Sequence, residues 1–258
     1  MAINHKKVAV IIPAYNEEQG ISLVVTDFMG VRHDSEILVD DIIVCDNKST
    51  DDTARLAKKA GAHVVYEEQP GYGAACLKGI ESLRSDGRET PDYVVFADGD
   101  YSANANQVYS LLKSLEEGAD LVIGTRENTG LCFGAMGWHQ RLGNRMATML
   151  IRLLWRKNMT DLGPFRAIKY SRLLELDMQD KKFGWTVEMQ VKAIQAGFDY
   201  REVPVSTRCR LGVSKISGTI RGTIGAAIGI FSTIFQLYAN EKEFVESIHS
   251  MDHSFKVR

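Results

Sequence analysis

Tyr93-Val94-Val95-Phe96-Ala97-Asp98-Gly99-Asp100 narrows the possible folds more than any other stretch of this chain. Its unbroken apolar run, bounded by Thr90-Pro91-Asp92 before it and polar residues after it, reads as a strand buried on both faces. Such strands belong to parallel sheets covered by helices. Open sheets of that kind bind ligands beyond the carboxyl ends of their strands, and Asp98 and Asp100 stand at that end. In an extended strand two acids one residue apart cannot both point the same way. In a turn they converge on a hard cation, and Gly99 between them permits a tight backbone approach. The plain alternative is a solvated acidic turn.

The pattern recurs along the first half. Val8–Ile12 is a β-branched apolar run, which Pro13 should stop because proline does not serve a central ladder. Ala14-Tyr15-Asn16-Glu17-Glu18 follows, then a helix over 18–29. Ile42–Cys45 runs into Asp46 and the polar turn 47–52, which supplies N-capping residues for a helix over 53–60. His63–Tyr66 is a short third strand, Gln69–Gly73 a turn into a helix over 74–83. After the acidic strand come a helix over 106–117 and a fifth strand over 120–124. Strands alternating with helices at this spacing predict an α/β fold, a Rossmann-like, mostly parallel sheet flanked by helices. The glycines do not form GxGxxG, so no dinucleotide fingerprint supports that ligand. The strand ends carry instead Tyr15, Glu17, Asp46, Asp98, Asp100 and Arg126, a rim suited to a nucleotide diphosphate with a metal.

Length and charge set outer bounds. With 258 residues the chain has enough material for one large domain or two small ones. A net charge of -2 gives no case for nucleic-acid binding. Cys45, Cys76, Cys132 and Cys209 are dispersed, without CxxC or a histidine at metal spacing, and read as reduced thiols of a cytoplasmic protein. The first residues enter a strand with no leader-type apolar core, which agrees with that location.

From 127 to 177 the βα rhythm breaks. Arg141, Arg145, Arg152 and Arg156 alternate with Leu142, Met146, Met149, Leu150 and Leu153, an amphipathic helix. Its arginine face is either solvated or meets phosphate or anionic lipid. His139 reads as a structural or surface residue. A helix-prone segment spans Trp185–Ala196, Val203–Val205 is an edge strand, and Arg208–Lys215 is a basic loop. That loop is either a charged surface segment or a lid whose Lys215 and arginines clamp a diphosphate. Residues 222–240 carry no charge and approach the roughly 20 residues of a membrane span. Glycine, threonine, serine and glutamine dilute them. The reading is a helix that packs on the domain, on a second copy through its G-x-x-x-G spacings, or along a membrane interface. Residues 247–258 are polar and expected to fray. The expected organisation is a domain over 1–215, with a donor half 1–126 and an acceptor half 127–215, then a C-terminal helix and tail over 216–258.

Ile11-Ile12-Pro13-Ala14-Tyr15-Asn16-Glu17-Glu18, the D-x-x-S-T-D run Asp46–Asp51, Asp98-Gly99-Asp100 and Ile123-Gly124-Thr125-Arg126 occur in this order and spacing. With Asp161–Ala167 and Gly184–Met189 they resemble family 2 glycosyltransferases of the GT-A fold, over about residues 6–220. The branch most similar in look contains the dolichyl- and polyprenyl-phosphate mannose or glucose synthases. The resemblance implies an inverting transferase moving a hexose from a UDP- or GDP-sugar to a lipid-linked phosphate, with Mg2+ or Mn2+, at the cytoplasmic face of a membrane. It implies a metal held by Asp100, with Asp98 nearer the ribose or a metal-bound water and Ser102 at a further ligand position. Pro13, Tyr15 and Glu17 would line the base and ribose, and Asp46 would bond the base edge. On the acceptor side it implies Arg126 and Arg141 near the phosphate, with Arg166 and Trp185 in segments closing that half. Glu188 would be the base for a hydroxyl acceptor, or would orient sugar hydroxyls where the acceptor is a phosphate. Lys48 stands where the family more often has glycine. Two rivals are a soluble-acceptor relative and a non-catalytic nucleotide-sugar-binding protein. A nucleotidylyltransferase is disfavoured because its glycine-rich basic N-terminal loop is missing.

Overall fold

The computed structural model describes residues 6–84, 88–126, 138–212 and 220–255. In chain order these form β1 (Val8–Ala14), α1 (Ile21–Gly30), β2 (Arg32–His33), β3 (Glu36–Ile37), β4 (Asp41–Asp46), α2 (Thr53–Lys59), β5 (His63–Tyr66), α3 (Tyr72–Ser82) and β6 (Tyr93–Phe96). There follow α4 (Val108–Glu116), β7 (Leu121–Arg126), α5 (Trp138–Trp155), β8 (Arg166–Lys169), α6 (Tyr170–Glu175), α7 (Trp185–Gln195), β9 (Tyr200–Val205), α8 (Ile220–Ala239) and α9 (Glu241–Phe255).

A seven-stranded sheet runs β5-β4-β1-β6-β8-β7-β9. All neighbouring pairs are parallel except β8, which is antiparallel to both β6 and β7. The two-residue alternation of a strand divides the core. Val8, Val10 and Ile12 of β1 face α1 and α4 through Val24, Phe28, Leu111 and Leu115. Ala9 and Ile11 face the other way, toward Cys76 of α3 and Trp185 and Met189 of α7. The predicted mostly parallel, helix-flanked sheet is therefore present, and every strand read from an apolar run is in it.

Several local readings differ. Pro13 does not end β1, because Pro13 and Ala14 stay in register with Cys45 and Asp46 of β4. Ile11 O accepts Ala97 N, while Ala14 O accepts Asn47 N on the β4 side. By alternation Pro13 turns its missing N–H toward the β6 side, beyond the last β6 partner, Phe96, where no ladder bond is needed. Strand β8 and the small β2–β3 hairpin were not expected, and α9 is helical to Phe255, within the segment expected to fray. Cys45 and Cys76 are free and buried, but Cys209 is disulfide-bonded, so the expectation of a reduced thiol fails there. Cys132 lies outside the described residues.

Helix α8 packs on the domain itself. Ile234 is buried with Ala147 and Ile151 of α5 and Val187 and Val191 of α7, and Gln195 donates to Leu237 O at 3.0 Å. Among the described residues no helix is long and apolar enough to cross a membrane.

Candidate active site

Progression along the sheet reverses at β1, with β4 and β5 on one side and β6 on the other. A crevice at the carboxyl ends of these strands is where such a sheet receives a ligand. Three neighbouring parallel strands deliver acids there: Glu17 after β1, Asp46 at the end of β4, and Asp98 and Asp100 after β6. The loops are tied together. Glu17 N donates to Thr53 Oγ1 at 2.8 Å, and Thr50 N donates to Asn16 Oδ1 at 2.8 Å. Gly20 lets the start of α1 meet the acidic loop, since a Cβ there would stand 2.9 Å from Gly99 O. The close approach expected of Gly99 thus belongs to Gly20. Within the acidic loop the left-handed residue is Tyr101, at φ 67°. Lys48 is also left-handed, at φ 65°, which explains physically why glycine suits that position.

Asp46 is buried, and its Oδ1 has no protein partner. A buried carboxylate oxygen left open at a crevice is a ready acceptor for the N–H of a nucleobase. Tyr15 is exposed beside it, while Pro13 is buried within β1 and offers the base only its neighbourhood.

Asp98 accepts the Tyr72 hydroxyl at 3.1 Å. Burial first, and the Asp100 charge second, push the Asp98 carboxyl up to about 7, against the opposing pull of Tyr72, Arg126 and Arg210. Asp100 accepts Ser102 N through Oδ1 at 3.0 Å and meets Arg210 Nη2 at 3.3 Å through Oδ2. The same guanidinium lies 3.7 Å from Glu17 Oε1. Its segment is pinned across the acids, with Leu211 N donating to Asp100 O at 2.8 Å and Arg208 N to Ser102 O at 2.9 Å. Crowded carboxylates bridged by a protein cation fit a hard divalent ion, for which oxygen is the preferred donor. Among the described residues no group of three or more His, Cys, Asp or Glu could hold a metal ion. An ion on Asp98 and Asp100 would therefore draw further ligands from substrate and water, as Mg2+ commonly does.

Arg126 sits at the end of β7 in a bidentate pair with Asp161, Nε–Oδ2 2.8 Å and Nη2–Oδ1 2.6 Å, and its own backbone N–H donates to the same carboxylate. That pairing holds the Asp161 carboxyl below the usual carboxylate range despite burial. Arg126 therefore reaches the crevice as a held guanidinium, close enough to Asp98 to act on its ionisation.

The acceptor-side expectations need correction. Arg166 is fully buried, donating to Gly163 O at 3.1 Å and Thr186 O at 2.9 Å, so it ties the 161–166 loop to α7 and meets no acceptor. Trp185 is also fully buried, edge-on to Phe96 at 4.7 Å and to Tyr72 at 6.1 Å, and forms the wall beneath the acidic loop. Glu188 is buried. It accepts Gln179 N at 2.9 Å and Asp180 N at 2.8 Å and pairs with Lys192 at 2.9 Å, contacts that give its carboxylate a structural role in holding the 179–180 turn to α7. Arg141 is exposed on α5, and Lys215 lies outside the described residues. Ser102 is half-buried beside Asp100.

Residues that the sequence reading passed over support the site from behind. Tyr72 holds Asp98, and its helix start is fixed by Gly73 N and Ala74 N donating to Lys182 O and Lys181 O. Gly73 is required there, because a Cβ would fall 2.0 Å from Asp180 O. Asn47 accepts Gly71 N at 2.8 Å and donates to Gln69 O at 2.8 Å. Nothing in the local pattern around Tyr72 points to a carboxylate 26 residues away.

Residues 9–175 match the sequence profile described as Glycosyl transferase family 2. An uncharacterised glycosyltransferase of Mycobacterium tuberculosis is 34% identical over 230 residues, covering 88% of this chain and 97% of that protein. The polyprenol monophosphomannose synthase of Mycolicibacterium smegmatis is 30% identical over 226 residues, covering 83% of this chain and 82% of that protein. Among solved structures, glucosyl-3-phosphoglycerate synthase from Mycobacterium tuberculosis, in complex with Mn2+, UDP and phosphoglyceric acid, superposes with a TM-score of 0.72. That match has 22% identity and covers 91% of this chain and 79% of that one. The sheet order with its single reversed strand, the crevice acids and these likenesses agree: this chain has the GT-A fold and belongs to glycosyltransferase family 2.

Proposed function

We propose that the protein moves a hexose from a UDP- or GDP-sugar to a polyprenyl-phosphate-type acceptor, with inversion and with Mg2+ or Mn2+. The observation that carries this reading is the convergence of Asp46, Asp98, Asp100 and Glu17 from three parallel strand ends on one crevice. Asp46 Oδ1 takes the base edge, Tyr15 covers the base, and Glu17 lies toward the ribose. Asp98 and Asp100, with Ser102 beside them, hold the cation, which when bound supplies positive charge to a departing diphosphate. Arg210, already at the acids, turns to the diphosphate.

Arg126, held by Asp161, and Arg141 on the neighbouring helix present guanidiniums to an acceptor phosphate. A phosphate acceptor is already ionised, so no residue need remove a proton. That agrees with Glu188 being buried and engaged by two backbone N–H groups and Lys192. The similar polyprenol monophosphomannose synthase supports a lipid-linked phosphate as the acceptor, and an enzyme using one would work at a membrane surface.

Thermal unfolding in the presence of UDP, GDP and their sugars, each with and without Mn2+, tests the donor half, because ligand bound to the folded state raises its stability. The expected result is a shift with one base only, enhanced by Mn2+ and lost in Asp100→Asn. Transfer of labelled sugar to polyprenyl phosphate but not to phosphoglycerate tests the acceptor. No shift with any nucleotide, or an undiminished shift in Asp100→Asn, overturns the assignment.

A further inference from the structure

Helix α5 has two apolar faces. The inner one, Ala147 and Ile151 with Leu150 and Leu154, packs against α7 and α8. The outer one is a stripe of Leu142, Met146, Met149 and Leu153, at i, i+4, i+7 and i+11, all large and all exposed. Met149 and Leu153 are 71% and 74% exposed. Single exposed apolar residues need no explanation, whereas a continuous stripe marks a contact surface.

Helix α8, packed beside α5, also carries exposed apolar residues. Phe231 packs into the cluster shared with α5, and the Tyr238 ring lies 5.9 Å from that of Trp155, so this edge of α8 faces α5. Ile228 and Phe235 fall within one turn of these two residues, and both are exposed. Trp155 Nε1 donates to Glu241 Oε1 at 2.9 Å and so ties the end of α5 to the start of α9, just past α8.

Charge identifies the occupant. Arg141, Arg145, Arg152 and Arg156 are exposed along the edge of the α5 stripe away from Leu150 and Leu154, and none pairs with a carboxylate among the described residues. An apolar stripe edged by guanidiniums matches the acyl boundary and headgroups of an anionic bilayer. A two-fold contact of this face with its own copy would bring arginine rows of one sign together. We infer that the outer face of α5, extended by Ile228 and Phe235 of α8, docks the protein on an anionic lipid surface.

The docking face is coupled to the site. Asn144 of α5 donates to Thr160 O at 3.0 Å and accepts Leu162 N at 2.9 Å, on either side of the Asp161 that holds Arg126. A bilayer on this face would present a lipid-linked phosphate at the Arg126 end of the crevice; that consequence rests on the acceptor proposed above, while docking itself does not.

Co-sedimentation of the whole chain with vesicles tests it, using phosphatidylcholine alone and phosphatidylcholine with phosphatidylglycerol. Wild type should bind the anionic vesicles and be released by salt. Arg145→Gln with Arg152→Gln should lower that affinity about thirtyfold at low salt. Met149→Ser with Leu153→Ser should weaken it as well, and these exposed substitutions should leave the melting temperature and the nucleotide-induced shift unchanged. Wild type remaining in the supernatant, or undiminished binding by both variants, overturns the inference. So does a stable dimer that only the serine variant breaks, which would assign the face to a second copy. Loss of the nucleotide shift with vesicle binding intact would instead refute the proposed reaction and leave the docking face standing.

Discussion

Glu188→Gln keeps the shape of the side chain and removes its charge, and so separates a structural carboxylate from a catalytic one. Glu188 accepts two backbone N–H groups, from Gln179 at 2.9 Å and Asp180 at 2.8 Å, and pairs with Lys192 at 2.9 Å. Glutamine has one acceptor oxygen, so its NH2 must face one of those N–H groups or the ammonium. Hydrogen bonds to a charged group are worth about 1.5–3 kcal/mol each, and breaking a buried pair from one side costs about 3–5 kcal/mol. Lys192 retains Asp177 O at 2.7 Å, which softens the loss. A net cost of about 3 kcal/mol follows, or a fall in melting temperature of about 6–12 °C for a chain of this size. The loop involved supplies Lys181 O and Lys182 O to the start of α3, from which Tyr72 reaches Asp98. Turnover measured well below the transition should therefore drop by no more than about tenfold, through a looser Asp98. A general base would behave in the opposite way, with stability unchanged and kcat lowered about 10²–10⁴-fold. Calorimetry and steady-state kinetics on one preparation decide between them. An unchanged melting temperature with kcat down more than a hundredfold would refute the structural assignment.

Three further outcomes can be checked directly. Arg210→Gln removes the guanidinium between Asp100 and Glu17, so Mn2+ alone, followed by electron paramagnetic resonance, should bind about tenfold more tightly while UDP or GDP binds more weakly; no change in either would show that Arg210 is a bystander. Asp98 is raised to about 7 in the fold, so its contribution to stability is complete below its ordinary value and is lost as pH rises through about 7. Melting temperatures of wild type minus Asp98→Asn should fall over that window, and Mn2+ affinity should rise over it as the ion takes the proton's place. Lys48→Val should destabilise by about 1–2 kcal/mol by denaturant titration, because φ 65° opposes a β-branched side chain, whereas Lys48→Gly should be nearly neutral.

Most strands and the acids at their carboxyl ends were legible because both signals are local. An apolar run followed by a carboxylate marks a buried strand and its ligand end together, as at Val44-Cys45-Asp46 and Phe96-Ala97-Asp98. Position along a motif does not tell which side of the wall a residue faces. Arg166 and Trp185 lie in the segments expected to close the site, yet their side chains turn into the core, where Arg166 bonds carbonyls and Trp185 packs on Phe96. The family resemblance implied an acceptor-side arginine, but burial among carbonyl oxygens satisfies a guanidinium equally well. Strand β8 escaped detection for another reason. Arg166-Ala167-Ile168-Lys169 is short and opens and closes with cations, and only its place between β6 and β7 makes it a strand.

That reversed strand accounts for how the two halves of the crevice meet. Because β8 runs against its neighbours, its first residue, Arg166, pairs with Phe96 and Ile123 near the carboxyl ends of β6 and β7. The chain entering β8 must therefore pass along the ligand edge. It brings Asp161 to Arg126, while Arg166 reaches on to Thr186 at the start of α7. A parallel strand in the same place would deliver its entering loop to the opposite edge and leave Arg126 without Asp161 to hold it. The single antiparallel strand is thus what lets residues distant in sequence fix the guanidinium at the end of β7 next to the acids after β6.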